Sequence, residues 1–443
     1  MGFFPLDEEL ELYEAAGSLS PRLHEWLVRL SVWMPFEHAA TMLSDFAGVQ
    51  VSEATTRRQT EAAGAAYEAI QTQEVERIER NLPPVPQGPA RQLLSVDGAM
   101  VPLLHGQWAE VKTLVLGEVE EPVWEAENDE WVVNVHTSNL SYFSRMTDAD
   151  TFGRLALVEI HERGVERAAE AGQISAVMDG AEWQQGFVDY HCPGAVRVLD
   201  FPHAAERLGE IANAVWGEGK GNGDSGEGKE WLSKRCHQLK HEGPALVLEQ
   251  LRSLQQVHPT NQVLATNLSY LEKREAHMQY PRFQEEGWPI GSGVVESANK
   301  LVVEARLKGG GMHWERSHVN PMLSLRNVVC NDRWAQAWPR ITVHQHQQAR
   351  KGKADKADKA DKAGKGKHQQ VAQAAQVVQR PVEATIGSKP KGQAAPKPAP
   401  ASLTPNKANN DENKPKVPWR PAVDHPWRRS PIGRARFQSL KAS

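Results

Sequence analysis

The run Asn81-Leu-Pro-Pro-Val-Pro-Gln-Gly-Pro89 divides this chain into two kinds of sequence. Proline fixes φ and lacks an N–H, so four prolines in nine residues end any helix that reaches them. What reaches them is helical. Ser20-Pro21 reads as an N-cap followed by Pro at the first helical position, and Leu23, Trp26, Leu27 and Leu30 recur at helical spacing behind it. A second helix from about Pro35 carries Ala39, Ala40 and Leu43 on one face. After Gly48-Val-Gln-Val51, Ser52 caps a third helix that begins Glu53-Ala-Thr-Thr-Arg-Arg-Gln59 and runs to about Arg80. Helix, short Gly-containing turn and capped polar helix make the pattern of a helix-turn-helix, whose second helix would present Thr56, Arg57 and Gln59 to a DNA groove. A plain helical hairpin with a solvated polar face fits this segment equally well.

Beyond the prolines the pattern is that of strands. Residues 93–100, 108–119 and 131–143 are rich in Val, Leu and aromatics and are broken by Gly, Pro and Asn. Residues 151–171 return to a helical repeat through Phe152, Leu155, Val158 and Ile160. Two short apolar runs, 174–178 and 196–199, then end at Asp179 and Asp200. The order β-β-β-α-β-α-β belongs to α/β or α+β folds and excludes a helical bundle. Residues 204–285 read as helical, interrupted by the polar, Gly-rich stretch 217–228, and form an insertion. Trp288-Pro-Ile-Gly-Ser-Gly293 introduces one more helix, which carries Glu296.

These transitions divide the 443 residues into a helical, helix-turn-helix-like segment (1–81), a linker (82–91), a core in two parts (92–203 and 287–338) around the insertion (204–286), and a tail (339–443). Residues 341–443 of the tail hold 21 Lys and Arg against 7 Asp and Glu, a net charge of +14, whereas the whole chain carries −5. With few apolar residues and Lys-Ala-Asp repeats it is expected to be disordered and to bind polyanions electrostatically. Trp427 and Phe437, set among arginines in the run Asp424–Phe437, stand out within it. The 3 cysteines form no C-x-x-C pair, and no run approaches about 18 apolar residues, so a soluble, cytoplasmic protein without a disulfide framework is expected.

Three acids sit where chemistry could use them. Asp97 and Asp179 each precede a glycine at an expected strand end, and Glu296 lies in the first turn of a helix behind Gly291-Ser-Gly293. Carboxylates suit a hard cation such as magnesium, and paired ions suit phosphodiester chemistry. Taken singly, an Asp-Gly is more often only a turn, and Glu304, two turns past Glu296, is a rival to it. Lys300, Arg306 and Lys308 form a basic track after Glu296 that would meet phosphate or simply face solvent. His237 and His241, four apart on a helix, suit a metal pair but lack an evident third ligand.

Asp97-Gly-Ala-Met, Met178-Asp-Gly-Ala-Glu-Trp183, Leu199-Asp-Phe-Pro-His203-Ala, Gly291-Ser-Gly-Val-Val-Glu296 and Gly309-Gly-Gly-Met-His-Trp314 together resemble the insertion-sequence transposases of the ISKra family, relatives of the Mutator-like group. The resemblance spans about residues 5–335 and returns at Asp424–Phe437. It implies an RNase H-like catalytic core of order β-β-β-α-β-α-β-α, with Asp97, Asp179 and Glu296 as catalytic residues and metal ligands. It also implies two Mg2+ ions, with Mn2+ as a substitute, and places Asp200 and His203 near the site in an Asp-x-x-His element. Asp200 remains an alternative second carboxylate. Family members often carry a Cys-rich segment ahead of the stretch matching Phe3–Leu10, so a shortened N-terminus is expected here. The implied activity is DNA transposition: cutting element ends and joining them to target DNA, acting on double-stranded DNA at terminal inverted repeats as a homo-oligomer, with no membrane. Its alternatives are an inactive or truncated copy that only binds DNA, and a nuclease on the same fold.

Overall fold

The computed structural model describes residues 19–127, 130–217 and 226–352. The expected disordered tail from residue 353 on, with its Asp424–Phe437 run, lies outside the described residues, as does most of the Gly-rich stretch after Trp216. Three helices come first: α1 (Pro21–Trp33), α2 (Phe36–Ala47) and α3 (Glu53–Asn81). Ser20 and Ser52 cap α1 and α3 by accepting the amides of Leu23 and Thr55. Gly48, at φ 67°, ends α2 in the left-handed region that glycine adopts without strain.

Five strands form one mixed sheet: β1 (Gln92–Pro102), β2 (Trp108–Val119), β5 (Thr137–Arg145), β6 (Ile174–Met178) and β7 (Val196–Leu199), in the order β5-β2-β1-β6-β7. The first three are antiparallel neighbours, and β6 and β7 run parallel to β1. The expected third strand is divided. Its first part, β4 (Glu130–Asn134), pairs with β3 (Val123–Glu127) in a separate hairpin, and its second part is β5. Between β5 and β6 lie α4 (Ala149–Glu162) and α5 (Val165–Glu170), one expected helix broken at Gly164 with φ 63°. Helix α6 (Glu182–His191) connects β6 to β7. The chain is therefore mixed α/β and mostly helical.

Both faces of the sheet are covered, which explains why neighbouring positions on β1 are both apolar. Leu94 and Val96 pack with Phe152, Ile160 and Phe187 of α4 and α6 on one face. Leu93 packs on the other face with the insertion helices α7 (Phe201–Trp216), α8 (Glu227–His241), α9 (Pro244–Val257), α10 (Gln262–Glu272) and α11 (Tyr280–Glu285). Leu93 and Leu94 are both fully buried, and each such burial stabilises the fold by about 1.5–3 kcal/mol. Farther along the same face as Leu93, Ala99 and Val101 pack against Val295, Val302 and Leu307. Strand alternation thus puts Asp97 between two packed clusters, the insertion on one side and the Glu296 helix on the other.

That last helix is one rod of three parts: α12 (Gly293–Ala298), a π-helical turn over Asn299–Glu304, and α13 (Ala305–Leu307). Arg326, 1% exposed, sends its guanidinium to the carbonyls of Leu301 and Val302 in the π turn and of Val32 at the end of α1. It belongs to α14 (Arg316–Cys330). A further helix over residues 334–352 follows, so order extends past Trp338, where the tail was expected to begin, because Ile341 is buried against the N-terminal helices.

Helix α14 also closes the β5 edge of the sheet. Asn320, Asn327 and Asn331 each accept the backbone N–H and donate to the C=O of one residue on alternate positions, Met146, Ser144 and Tyr142, at 2.8–3.2 Å. Three side-chain amides thereby do what a sixth strand would do. On its other side α14 meets α3 at close range, since a Cβ on Gly64 would lie 2.1 Å from the Pro321 carbonyl oxygen. Among the described residues no helix is long and apolar enough to cross a membrane.

Candidate active site

The β1–β6 register pairs Ser95 with Val177 at its last step. Extended by two residues, it sets Asp97 level with Asp179, which directly follows β6. Asp200 directly follows β7, one strand farther out. Asp97 lies inside β1 and not at the strand end expected of it, because β1 keeps pairing with β2 as far as Pro102 after its parallel pairing with β6 has stopped. The three acids still gather where β6 and β7 end, the side on which open α/β sheets bind ligands. Glu296 approaches from α12, whose start is tied to the same place: the Ser292 amide donates to Asp200 Oδ1 at 2.6 Å.

Electrostatics show which of these acids share a cleft. Burial, reinforced by the charges of Asp179 and Glu296, pushes the Asp97 carboxyl up to about 6, against partial relief from the Gly98 amide and His203. His203 is raised in turn by its hydrogen bond to Asp200, with Asp179 contributing. Asp179, Glu296 and His203 thus all lie close enough to Asp97 for their charges to act on it, and Asp179 also acts on His203. Glu304 is turned away from them and pairs with Lys308 at 2.6 Å.

Asp200 has a different job from Asp179. Its side chain is fully buried and its oxygens are occupied: Oδ1 by Ser292, and Oδ2 by the backbone N of His203 at 3.2 Å and by His203 Nδ1 at 2.8 Å. It caps α7, orients the imidazole and anchors the glycine turn before Glu296. Asp179 is only half-buried, and one of its oxygens takes the Ala181 amide at 2.8 Å.

Residues that the sequence did not single out hold Asp179 in place. From α10, Tyr270 donates its hydroxyl to the Asp179 carbonyl, and Arg274, just past that helix, donates to the Gly180 carbonyl at 2.6 Å. The Arg274 guanidinium stacks on the Tyr270 ring at 3.8 Å, and Arg207 lies over the same ring at 4.8 Å. Gly180, at φ 85°, is required twice over, because a Cβ there would meet Arg274 Nε at 2.5 Å and the Tyr270 hydroxyl at 2.7 Å. At Gly98 the Glu110 carboxylate fills the space a Cβ would take, 2.3 Å from it.

Asn299, one turn after Glu296 and 6% exposed, donates Nδ2 to Asp97 Oδ2 at 2.8 Å. Its Oδ1 is buried and accepts no hydrogen bond among the described residues. The local signal for this residue was its spacing of three from Glu296, which puts both on one helix face.

Most of the expected DNA-facing residues do not form a common surface. Thr56 is fully buried and bonds back to the Ser52 carbonyl, and Gln59 is 7% exposed, because this side of α3 packs inward with Thr60, Ala63 and Gly64. Arg57 is exposed, with Glu61 at 3.9 Å. Arg306 is 2% exposed: its Nε donates to the Ser31 carbonyl and its guanidinium lies against both the Phe36 and the Trp314 rings, which meet edge to face. Lys300 is exposed beside the site, and Lys308 is engaged with Glu304. His237 and His241 stack at 4.5 Å on α8.

Among the described residues no group of three His, Cys, Asp or Glu side chains is drawn tightly enough together to hold a metal ion as they stand. The acids do not form a closed cage. No protein-family model matches the chain, and no curated protein matches it.

Proposed function

We propose that this chain is a DDE-type DNA transposase of the ISKra-like insertion-sequence group, cutting element ends and joining them to target DNA. The observation that carries this reading is that Asp179 and Glu296, from two distant segments, both come close enough to Asp97 for their charges to act on it, with Asp179 level with Asp97 across the β1–β6 register. Three antiparallel strands followed by two parallel ones, with helices between, support an RNase H-like core. The donor set fits magnesium: all are carboxylate oxygens, and the like charges of Asp179 and Glu296 beside half-buried Asp97 are what a cation would offset. Magnesium is commonly held by one or two carboxylates plus substrate phosphate, so it does not need a closed cage.

Asp97, Asp179 and Glu296 would hold two such ions, with Mn2+ as a substitute. When bound, they would supply charge neutralisation at phosphorus and a lowered pKa for the attacking water or 3′-hydroxyl. The chain's own residues do the placing. Tyr270 and Arg274 fix the Asp179 turn, Asp200 fixes both His203 and the start of the Glu296 helix, and exposed Arg57 and Lys300 offer charge to DNA phosphate. Double-stranded DNA bearing terminal inverted repeats is the partner, bound by a homo-oligomer.

The test is incubation of the full chain with Mg2+ and DNA carrying the repeats that flank its gene. Strand cleavage and joined products are expected from the wild type, and neither from Asp97→Asn, Asp179→Asn or Glu296→Gln. Cleavage without joining would identify a nuclease on the same fold. Binding without either would identify a DNA-binding protein only, and both outcomes overturn the proposal.

A further inference from the structure

Asn299 is a buried residue beside Asp97 whose bonding is half finished. Its donor end is committed to Asp97 Oδ2, which fixes the orientation of the amide, since a carboxylate cannot donate. The acceptor end is therefore Oδ1, enclosed in the protein and without a partner among the described residues. A buried carbonyl left in this state weakens the fold unless something else meets it. The surroundings say what that partner is: Asp97, with Asp179 and Glu296 acting on it, makes this a region of excess negative charge, which attracts a cation and its water and repels an anion.

We propose that Asn299 belongs to the cation site, its Nδ2–H holding the Asp97 carboxylate in place and its Oδ1 serving as a neutral oxygen donor to the divalent ion. The inference rests on the cation-binding reading of the carboxylates. A neutral donor has a reason here. A fourth carboxylate would add repulsion beside Asp97, whereas an amide supplies an oxygen at no charge and can also donate to its neighbour. The π-helical turn that begins at Asn299 is consistent with this role, because such turns recur at functional sites and Arg326 meets two of its carbonyls from behind.

The experiment measures Mn2+ binding to the full chain without DNA, by titration calorimetry and by the Mn2+ electron paramagnetic resonance signal, with melting temperatures taken in EDTA. Residues that only orient a ligand typically change metal affinity by roughly 10–100-fold, so a direct donor sets a loss of at least that size as the expectation in Asn299→Ala, with melting in EDTA close to wild type. Asn299→Asp keeps the oxygen and the shape but loses the donor. It should melt earlier in EDTA, retain Mn2+ binding, and gain more from Mn2+ than the wild type does. Wild-type affinity in Asn299→Ala, or equal losses in the two variants, overturns the assignment of Oδ1. No Mn2+ binding by the wild type overturns the reading of the carboxylates, and the assignment with it, whereas binding lost in Asp97→Asn but kept in Asn299→Ala removes Asn299 alone.

Discussion

Four buried or half-buried asparagines meet the same sheet, and they are treated in opposite ways. Along the β5 edge, Asn320, Asn327 and Asn331 use both ends of their amides on backbone groups of alternate residues. At the carboxyl end of the parallel strands, Asn299 uses one end and leaves the other bare, although Asn327 at 3% exposure and Asn299 at 6% are buried to a similar degree. The edge completes its polar bonding within the chain. The cleft does not, and it holds like charges besides. A region that is finished in this sense is built for stability, and one left unfinished in several respects at once is built to receive something.

Asp200 is the sharpest test of that division, because it lies in the cleft by position but resembles the edge in its bonding. Asn in its place sets a donor against donors, so Asp200→Asn should lower unfolding stability in urea by about 3 kcal/mol, while Asp179→Asn changes it little. A normal melt for Asp200→Asn together with lost cleavage would make Asp200 a reacting group and redraw the boundary. Next in size is Asn327→Ala, which strips the Ser144 N–H and C=O of their partners and should cost about 2 kcal/mol. An unchanged melt there would mean that water replaces the amide and that the edge is not sealed.

The smallest effect has the opposite sign. Asp97 is raised from an ordinary 3.8 to about 6, so the folded chain holds its proton longer than the unfolded chain does. The metal-free protein accordingly loses stability as pH rises through that interval, and the loss is complete above about 6. Asp97→Asn carries no such charge and should be more stable than the wild type at pH 7 by on the order of 1 kcal/mol, the difference vanishing near pH 4. Melting in EDTA across this range checks it. A destabilised Asp97→Asn at pH 7 would show that the cleft is as well compensated as the edge.

What sequence could reveal followed from local pattern. The runs that became β6 and β7 are short, apolar and closed by Asp, and the structure gives them the expected bounds. The convergence of Asp97, Asp179 and Glu296 followed from their placement along the strand order. The clamp on Asp179 did not, because Tyr270 and Arg274 lie 91 and 94 residues away from the carbonyls they bind. Nor did the edge amides, for a helical Asn looks the same whether it faces water or a strand. Arg306 was misjudged because an arginine's apolar stem and flat head can be buried against aromatic rings. Thr56 and Gln59 were readable in principle: with Thr60, Ala63 and Gly64 they form a stripe of small and compact residues at helical spacing, which points to a neighbouring backbone.

Arg306 from α13 and Arg326 from α14, which also holds the π turn, reach the end of α1 to bond the Ser31 and Val32 carbonyls. The two carbonyls lie next to each other in the chain, so α1 and the rod bearing Glu296 cannot slide past one another without breaking both bonds at once. If a ligand on α1 and a ligand at Glu296 bias the position of this joint, they are coupled, and each changes the other's affinity by the same factor.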